Sequence, residues 1–384
     1  MTRKVRMGMV GGGIGAFIGN VHRMAAGLDG MIELVCGAFS SDADRSRRSG
    51  EELGLDPSRV YGSFEEMIQS ELALPADKRM NLVSIVTPNH MHFAPAVQAL
   101  RAGFNVICDK PMTFDLEQAF ALQEEVKKSG LIFALTHNYT GYPMVKQARH
   151  LVKCGDIGEI RKVVVEYPQG WLSTLLEASE QKQAAWRTDP SKSGIAGAMG
   201  DIGTHAENLA EYITGLKISS LCADISTLVE GRKLDDDGSV LLRFENGARG
   251  ILHASQICAG EENNLAIRVY GDRGGFEWRQ MEPNTLTVRY IDQPIKVFRT
   301  GGVGVCTAAQ AHTRIPAGHP EGYLEAFANI YRNVAMCIAA QIEGREIDPI
   351  YHDYPSVEDG LRGMQFIYAV IESGKSDQKW LPFK

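Results

Sequence analysis

Up to residue 137 the chain alternates between short apolar runs and amphipathic stretches. Residues 5–10, 32–39, 82–87, 105–108 and 131–135 are runs of Val, Ile, Leu, Phe and Cys with few charges, which predicts strands buried on both faces. Helical patterns lie between them. Residues 94–102 stop at Gly103; residues 115–129 open with Asp115 and Gln118 at capping-box spacing and stop at Gly130. Strand and helix in alternation predict a doubly wound parallel sheet.

Beyond residue 137 the pattern changes. Residues 160–167, 220–229, 239–244 and 250–256 read as strands in series. Asn246-Gly247 between two of them predicts a type I′ hairpin, and Asp272-Arg273-Gly274-Gly275 a second turn. Residues 286–290 and 295–299 add another pair. Residues 321–342 and 356–373 are long helical patterns, the latter with Val357, Leu361, Met364, Ile367 and Ile371 near helical spacing. Asp235-Asp236-Asp237 reads as a solvated loop and residues 45–48 as a solvated helix start. The prediction is an α/β chain of two domains: a Rossmann doubly wound parallel sheet over 1–137, and an α+β domain with a mostly antiparallel open sheet over 138–384.

Composition narrows the function classes. With 384 residues, 44% hydrophobic and 23% charged, the chain resembles an ordinary globular enzyme. A net charge of -7 gives no footprint for nucleic acid. The seven cysteines include no C-x-x-C pair, so they read as reduced thiols in a cytoplasmic protein, with no metal site expected. No apolar run is long enough to imply a membrane span, and none of the N-terminal residues is read as a targeting segment.

The first strand runs into Gly11-Gly12-Gly13-Ile14-Gly15-Ala16. A dinucleotide pyrophosphate must reach backbone N–H groups at a helix start, and side chains would block it. Gly11 is read as the tight turn, Gly12, Gly13 and Ile14 as lining the phosphate, and Ala16 as the third, close-packing position. The acid expected at the end of the second strand, on the ribose hydroxyls, is absent: Ser40 and Ser41 stand there, with Asp42 and Arg45 beyond. The cofactor is therefore NAD or NADP, with NAD preferred.

Three further motifs occur in order: Thr87-Pro88-Asn89-His90-Met91-His92, Cys108-Asp109-Lys110-Pro111 and Asp201-Ile202-Gly203-Thr204-His205. With the glycine loop they resemble the Gfo/Idh/MocA oxidoreductases, a group that includes inositol dehydrogenases and glucose–fructose oxidoreductase. The resemblance spans nearly the whole chain. It departs in three places: the stretch from Gly11 to His22 is longer than usual, Asp109 replaces the commoner Glu, and Ile195-Ala196 interrupts a glycine run. The extra length leaves Gly15, Ala16 and Gly19 as rivals for the third glycine role.

Oxidising an alcohol removes a hydride to the nicotinamide and a proton to an acceptor. Lys110, at the carboxyl end of a parallel strand, is placed to hydrogen-bond the reacting oxygen and stabilise developing charge; the alternative is a surface lysine paired with Asp109. His205 is the candidate general base, and Asp201, four residues earlier, orients it or holds a hydroxyl; the alternative is a helix-capping Asp201 and a core histidine. The cofactor set is Gly11, Gly12, Gly13, Ile14, Ser40, Ser41, Arg45, Thr87, Pro88, Asn89, His92, Asp109, Lys110 and Asn138. The substrate set is Lys110, Tyr139, Trp186, Arg187, Asp201, His205 and His319. The resemblance implies a cyclic polyol or sugar substrate and a homodimer or homotetramer. Two rival functions share the motifs: an NAD-dependent glycoside hydrolase acting by transient C3 oxidation, and a non-catalytic sugar or nucleotide sensor.

Overall fold

The computed structural model describes residues 4–179 and 181–383. The chain divides into two compact units, Met1–Asn138 with Phe327–Leu361, and Tyr139–Ala326 with Arg362–Lys384.

The first unit is built on five parallel strands: β1 Val5–Gly11, β2 Ile32–Ala38, β3 Leu82–Val86, β4 Asn105–Cys108 and β5 Phe133–Leu135, in the order β2-β1-β3-β4-β5. All of β3 and β4 is buried, which is why these runs carry almost no polar residue. The strand order reverses beside β1, so Gly11 and the turn after β3 lie at the switch point, where α/β sheets bind ligands. The helix Leu116–Ser129 starts as its capping residues predict: the Asp115 side chain accepts from the Gln118 N–H at 2.8 Å.

The first division falls at Asn138, beside the boundary read at residue 137, and a later segment, Phe327–Leu361, groups with the first unit. From Phe327 onward the helix Tyr323–Glu343 packs with the first unit. Phe327, Tyr331, Val334 and Ile338 are at most 1% exposed, a helical stripe with the spacing that buries one face. Strand–helix order along the chain carries no signal for such a return.

The second unit holds nine strands: β6 Ile160–Pro168, β7 Ile218–Ser226, β8 Asp237–Phe244, β9 Arg249–Ser255, β10 Ala266–Gly271, β11 Gly274–Arg279, β12 Thr285–Tyr290, β13 Lys296–Arg299 and β14 Leu381–Pro382. Their order is β13-β12-β11-β10-β6-β9-β8-β7-β14, antiparallel except for the parallel pair β6–β9. Alternate residues of β8 and β9 are buried, so one face carries the core. The helix Thr204–Thr214 packs on that face against β6 and β9.

Two local expectations are corrected. The β8–β9 turn is not type I′, which needs positive φ at both central residues; only Gly247 has it (φ 89°), within a three-residue loop closed by the Gly247 N–H on the Phe244 carbonyl at 3.0 Å. Asp235 and Asp236 are not solvated: they are 7% and 1% exposed. Asp235 accepts from the N–H groups of Gly197 (2.6 Å) and Met199 (2.7 Å). Asp236 accepts from Leu228 N–H, Val229 N–H and the Arg232 guanidinium, ending β7 earlier than its apolar run suggests.

The Arg232 and Asp236 side chains are each 1% exposed; Arg232 also pairs with Glu177, so removing Asp236 takes away one of its two acids and leaves the Leu228 and Val229 N–H groups without their acceptor. Asp236→Ala should lower the unfolding free energy by about 3 kcal/mol, and Asp237→Ala, next along the chain, by less than about 0.5 kcal/mol. Urea titration of both variants tests this; equal, small losses would restore the solvated-loop reading.

Candidate active site

In the first unit the glycine loop is a cradle that side chains would fill. A Cβ on Gly13 would lie 2.6 Å from Ser49 Oγ and 2.8 Å from the Phe39 carbonyl oxygen. The close approach of helix to strand belongs to Gly19, not Ala16: a Cβ on Gly19 would come within 2.3 Å of Gly12 Cα, whereas Ala16 is the extended residue before the helix Phe17–Leu28. The longer loop moves the packing glycine one turn into the helix. Within the loop, Gly13 N–H donates to the Phe39 carbonyl at 3.2 Å and Ile14 N–H to Ser49 Oγ at 3.1 Å. The helix's first-turn N–H groups, which have no intrahelical acceptor, are of the kind that suits an anion.

Ser40 and Ser41 follow β2, half-buried and exposed respectively. Asp42 is engaged as the cap of the helix Ala43–Glu52, accepting from Arg45 N–H at 2.8 Å. The Arg45 guanidinium donates to the Ile14 carbonyl at 2.5 Å, tying this helix to the glycine loop.

After β3, Pro88 and Asn89 form a single turn closed by Thr87 Oγ1 donating to the Met91 carbonyl at 3.2 Å. His92 was expected to touch the cofactor, but it is fully buried, with one ring nitrogen on the Pro111 carbonyl and the other on the Thr87 carbonyl, each at 2.8 Å. It braces the turn and has no polar atom left for a ligand. Asp109 Oδ1 accepts from Lys110 N–H (2.9 Å) and Thr136 Oγ1 (2.7 Å). Asn138 is 2% exposed and its Nδ2 has no hydrogen-bond partner among the described residues. A buried, unmatched amide donor is costly, and it suits a carboxamide or ribose hydroxyl; with the glycine cradle, these residues fit a dinucleotide.

Two buried histidines, His22 and His137, flank the Asp-Lys pair. Burial pushes His22 down to about 4 against the opposing pull of Asp109, and burial beside Lys110 pushes His137 down to about 3. Both stay neutral in ordinary buffers.

In the second unit, Asp201 lies in one wide turn, Met199–Gly203, ahead of the helix Thr204–Thr214 that carries His205. Such turns are frequent at functional sites. Asp201 does not cap the helix. Its Oδ2 accepts from Gln256 Nε2 at 2.8 Å and pairs with Arg187 Nε at 3.5 Å. Arg187 in turn lies over the Trp186 ring (4.4 Å) and near the Trp171 ring (6.0 Å). The buried His205 ring meets the Tyr139 ring edge-on at 4.9 Å.

Tyr139 belongs to the expected substrate set. Its hydroxyl is engaged in a closed ring: Asn263 Nδ2 donates to Tyr139 Oη (3.1 Å), Tyr139 Oη donates to Tyr167 Oη, and Tyr167 Oη donates to Asn263 Oδ1 (2.7 Å). Gln169 Nε2 donates to Asn263 Oδ1 (2.6 Å), and Gln169 Oε1 accepts from Trp171 Nε1 (3.0 Å). Burial raises Tyr139 to about 12. His319 does not join this group. It is exposed and lines a separate cavity of about 470 Å³ with Asn284, Arg299 and Thr300. Among the described residues no cluster of three metal-ligating side chains occurs, and no helix is long and apolar enough to cross a membrane.

Residues 5–137 match an oxidoreductase family described as an NAD-binding Rossmann fold, and residues 145–277 match the Gfo/Idh/MocA C-terminal domain. The chain belongs to the Gfo/Idh/MocA family. It is similar to an oxidoreductase crystal structure from Sinorhizobium meliloti, 46% identical over 99% of this chain and 100% of that one, with a TM-score of 0.90. An inositol dehydrogenase homolog from Azotobacter vinelandii, solved with NAD+, is 33% identical over 100% of this chain and 98% of its own, with a TM-score of 0.94; the same homolog has been solved with NADH and myo-inositol. The levoglucosan dehydrogenase of Pseudarthrobacter phenanthrenivorans is 27% identical over 78% of this chain and 80% of its own length. This Gfo/Idh/MocA protein is an NAD(P)-dependent oxidoreductase.

The neutral histidines give the first unit an acid sensitivity of known sign. The unfolded chain binds protons at His22 and His137 as pH falls below about 6.5, while the folded chain refuses them until about 4 and about 3. Stability is unaffected above that range and falls below it, by about 1.4 kcal/mol per pH unit for each histidine. Urea unfolding between pH 7.5 and 4.5 should show a shallower loss in the His22→Gln, His137→Gln double variant; an unchanged slope would contradict it.

Proposed function

We propose that this enzyme oxidises a secondary hydroxyl of a cyclic polyol or sugar, an inositol or a pyranose derivative, with NAD as acceptor. The observation that carries this reading is the array around Asp201 and His205: Gln256, Arg187, Trp171 and Trp186, a set of amide, guanidinium and aromatic groups suited to a ring bearing several hydroxyls. Relatives with inositol or levoglucosan in their names support the same class.

Bound NAD supplies the hydride acceptor. The Lys110 ammonium hydrogen-bonds the reacting oxygen and stabilises negative charge on it. His205, held by the Tyr139 ring, takes the hydroxyl proton at a ring nitrogen. Asp201 is fixed by Gln256 and Arg187, so it orients the substrate or the imidazole without searching for a rotamer. NAD is taken as the acceptor because an inositol dehydrogenase homolog 33% identical to this chain was solved with NAD+ and with NADH.

A panel of inositols and aldoses with NAD and NADP in parallel, followed by NAD(P)H absorbance, should show turnover with the higher kcat/KM for NAD. Lys110→Met and His205→Ala should each lower kcat by about 10²–10⁴-fold. Full turnover in both variants would remove the assigned roles, and hydrolysis of a nitrophenyl glycoside without net NADH would favour the glycosidase chemistry.

The protein also forms homodimers or homotetramers in this reading. Across the exposed face of the nine-stranded sheet, Leu241 pairs with Ile251 and Ile251 with Val164; Leu241 and Ile251 are 46% and 37% exposed. A paired apolar stripe of this kind fits a second copy of the same surface. Ile251→Lys should shift light-scattering mass toward the monomer; an unchanged assembly would discount this face.

A further inference from the structure

Beneath the Asp109-Lys110 pair lies a chain of buried polar groups contributed by four separate segments of the first unit. His22 is 0% exposed. Its Nδ1 lies 2.6 Å from Tyr331 Oη, and Tyr331 Oη lies 2.8 Å from Ser84 Oγ. Its Nε2 has no hydrogen-bond partner among the described residues and stands 4.0 Å from Asp109 Oδ1. The imidazole also meets Phe327 edge-on at 4.8 Å, which fixes its plane.

Proton direction along this chain is determined by one charge. Asp109 can only accept, so an Nε2 lone pair aimed at it would be repelled and an Nε2–H attracted. With the proton on Nε2, Nδ1 must accept from the Tyr331 hydroxyl, and Tyr331 Oη then accepts from Ser84 Oγ. Every donor and acceptor in the chain agrees with that one orientation. The charged groups facing the imidazole are Asp109 and Arg23, with His92 beside it. Burial lowers His22 to about 4, so over neutral pH it is a fixed dipole and carries no proton to the reaction.

We propose that His22, with its tautomer set by Tyr331 and Ser84, is a positioning residue that holds the Asp109 carboxylate, and through it the backbone and side chain of Lys110, in the reactive arrangement. The link to Lys110 is direct: Asp109 Oδ1, the oxygen facing His22, is the one that accepts the Lys110 N–H at 2.9 Å. Thr136 Oγ1 holds the same oxygen at 2.7 Å, so the carboxylate is fixed from two sides and His22 closes the third. The inference rests on the assignment of Lys110 to the reaction.

Two measurements test it. Nitrogen NMR of histidine-labelled enzyme should show His22 as the neutral Nε2–H tautomer from pH 5.5 to 8.5 (roughly the window in which a histidine ordinarily titrates), and Tyr331→Phe should weaken that preference. An Nδ1–H tautomer, or an imidazolium, overturns the proposal without reference to any substrate. Kinetics with NAD and the best polyol of the panel provide the second. His22→Leu should lower kcat about 10-fold or more with the KM for substrate and the Kd for NADH nearly unchanged, and His22→Gln, whose amide N–H can occupy the place of Nε2–H, should recover most of kcat. Should His22→Leu fail to fold, Tyr331→Phe carries the same test, with a smaller loss in kcat at constant KM. Wild-type kcat in these variants, or equal losses in the Leu and Gln variants, overturns the positioning role. Retention of activity in Lys110→Met would instead remove the reading on which it rests, so the two failures are distinguishable.

Discussion

The Asp109 carboxylate is the group around which the first unit's ligand end is organised. An acid at the end of a buried strand is tolerable only if donors surround it. Here the Lys110 N–H and the Thr136 hydroxyl bond to one oxygen, and the His22 Nε2 edge approaches the same atom. His22 and His137, close to that charge, are held neutral by burial, which would be far costlier if they were cations. The consequence is a rigid platform under Lys110. His92 extends it by joining the turn at Thr87 to the Pro111 carbonyl.

The second unit solves a similar problem with neutral groups. Tyr139, Tyr167 and Asn263 close their hydrogen bonds on one another, so two buried tyrosines and a half-buried asparagine satisfy themselves and present an aromatic edge to His205. Closed networks of this kind specify one arrangement because any partial rupture leaves a buried donor or acceptor unmet. Asp201 is held differently, by an amide and a guanidinium, with its side chain 22% exposed.

Much of the fold was legible because strand burial leaves a compositional trace. β3 and β4 lie fully buried, and their apolar runs marked them within a residue. The Asp115–Gln118 cap and the stop at Gly130 were legible for the same local reason: a helix end needs particular side chains within four residues of itself. The candidate residues Lys110, Asp201 and His205 were legible through motif spacing. His22, Gln256 and Asn263 were not, since a buried histidine on an amphipathic helix, or an amide at a strand end, looks like many others until its partners are known. Asp235-Asp236 misled in the opposite sense: a run of acids resembles a solvated loop, and only the backbone donors of Gly197, Met199, Leu228 and Val229 reveal it as an internal cap.

By itself the sequence determined what depends on neighbours in the chain: strand and helix periods, helix caps, the glycine cradle, and the order of the family's motifs. Tertiary structure alone decided what depends on contacts between distant segments. It returned Phe327–Leu361 to the first unit, gave the close-packing role to Gly19 because that residue meets Gly12, and chose which hydroxyls are engaged and which charged groups keep an open side. Local pattern is set by the covalent geometry of a few residues, whereas the pairing of a buried polar atom is settled only by whatever the fold brings within about 3 Å of it.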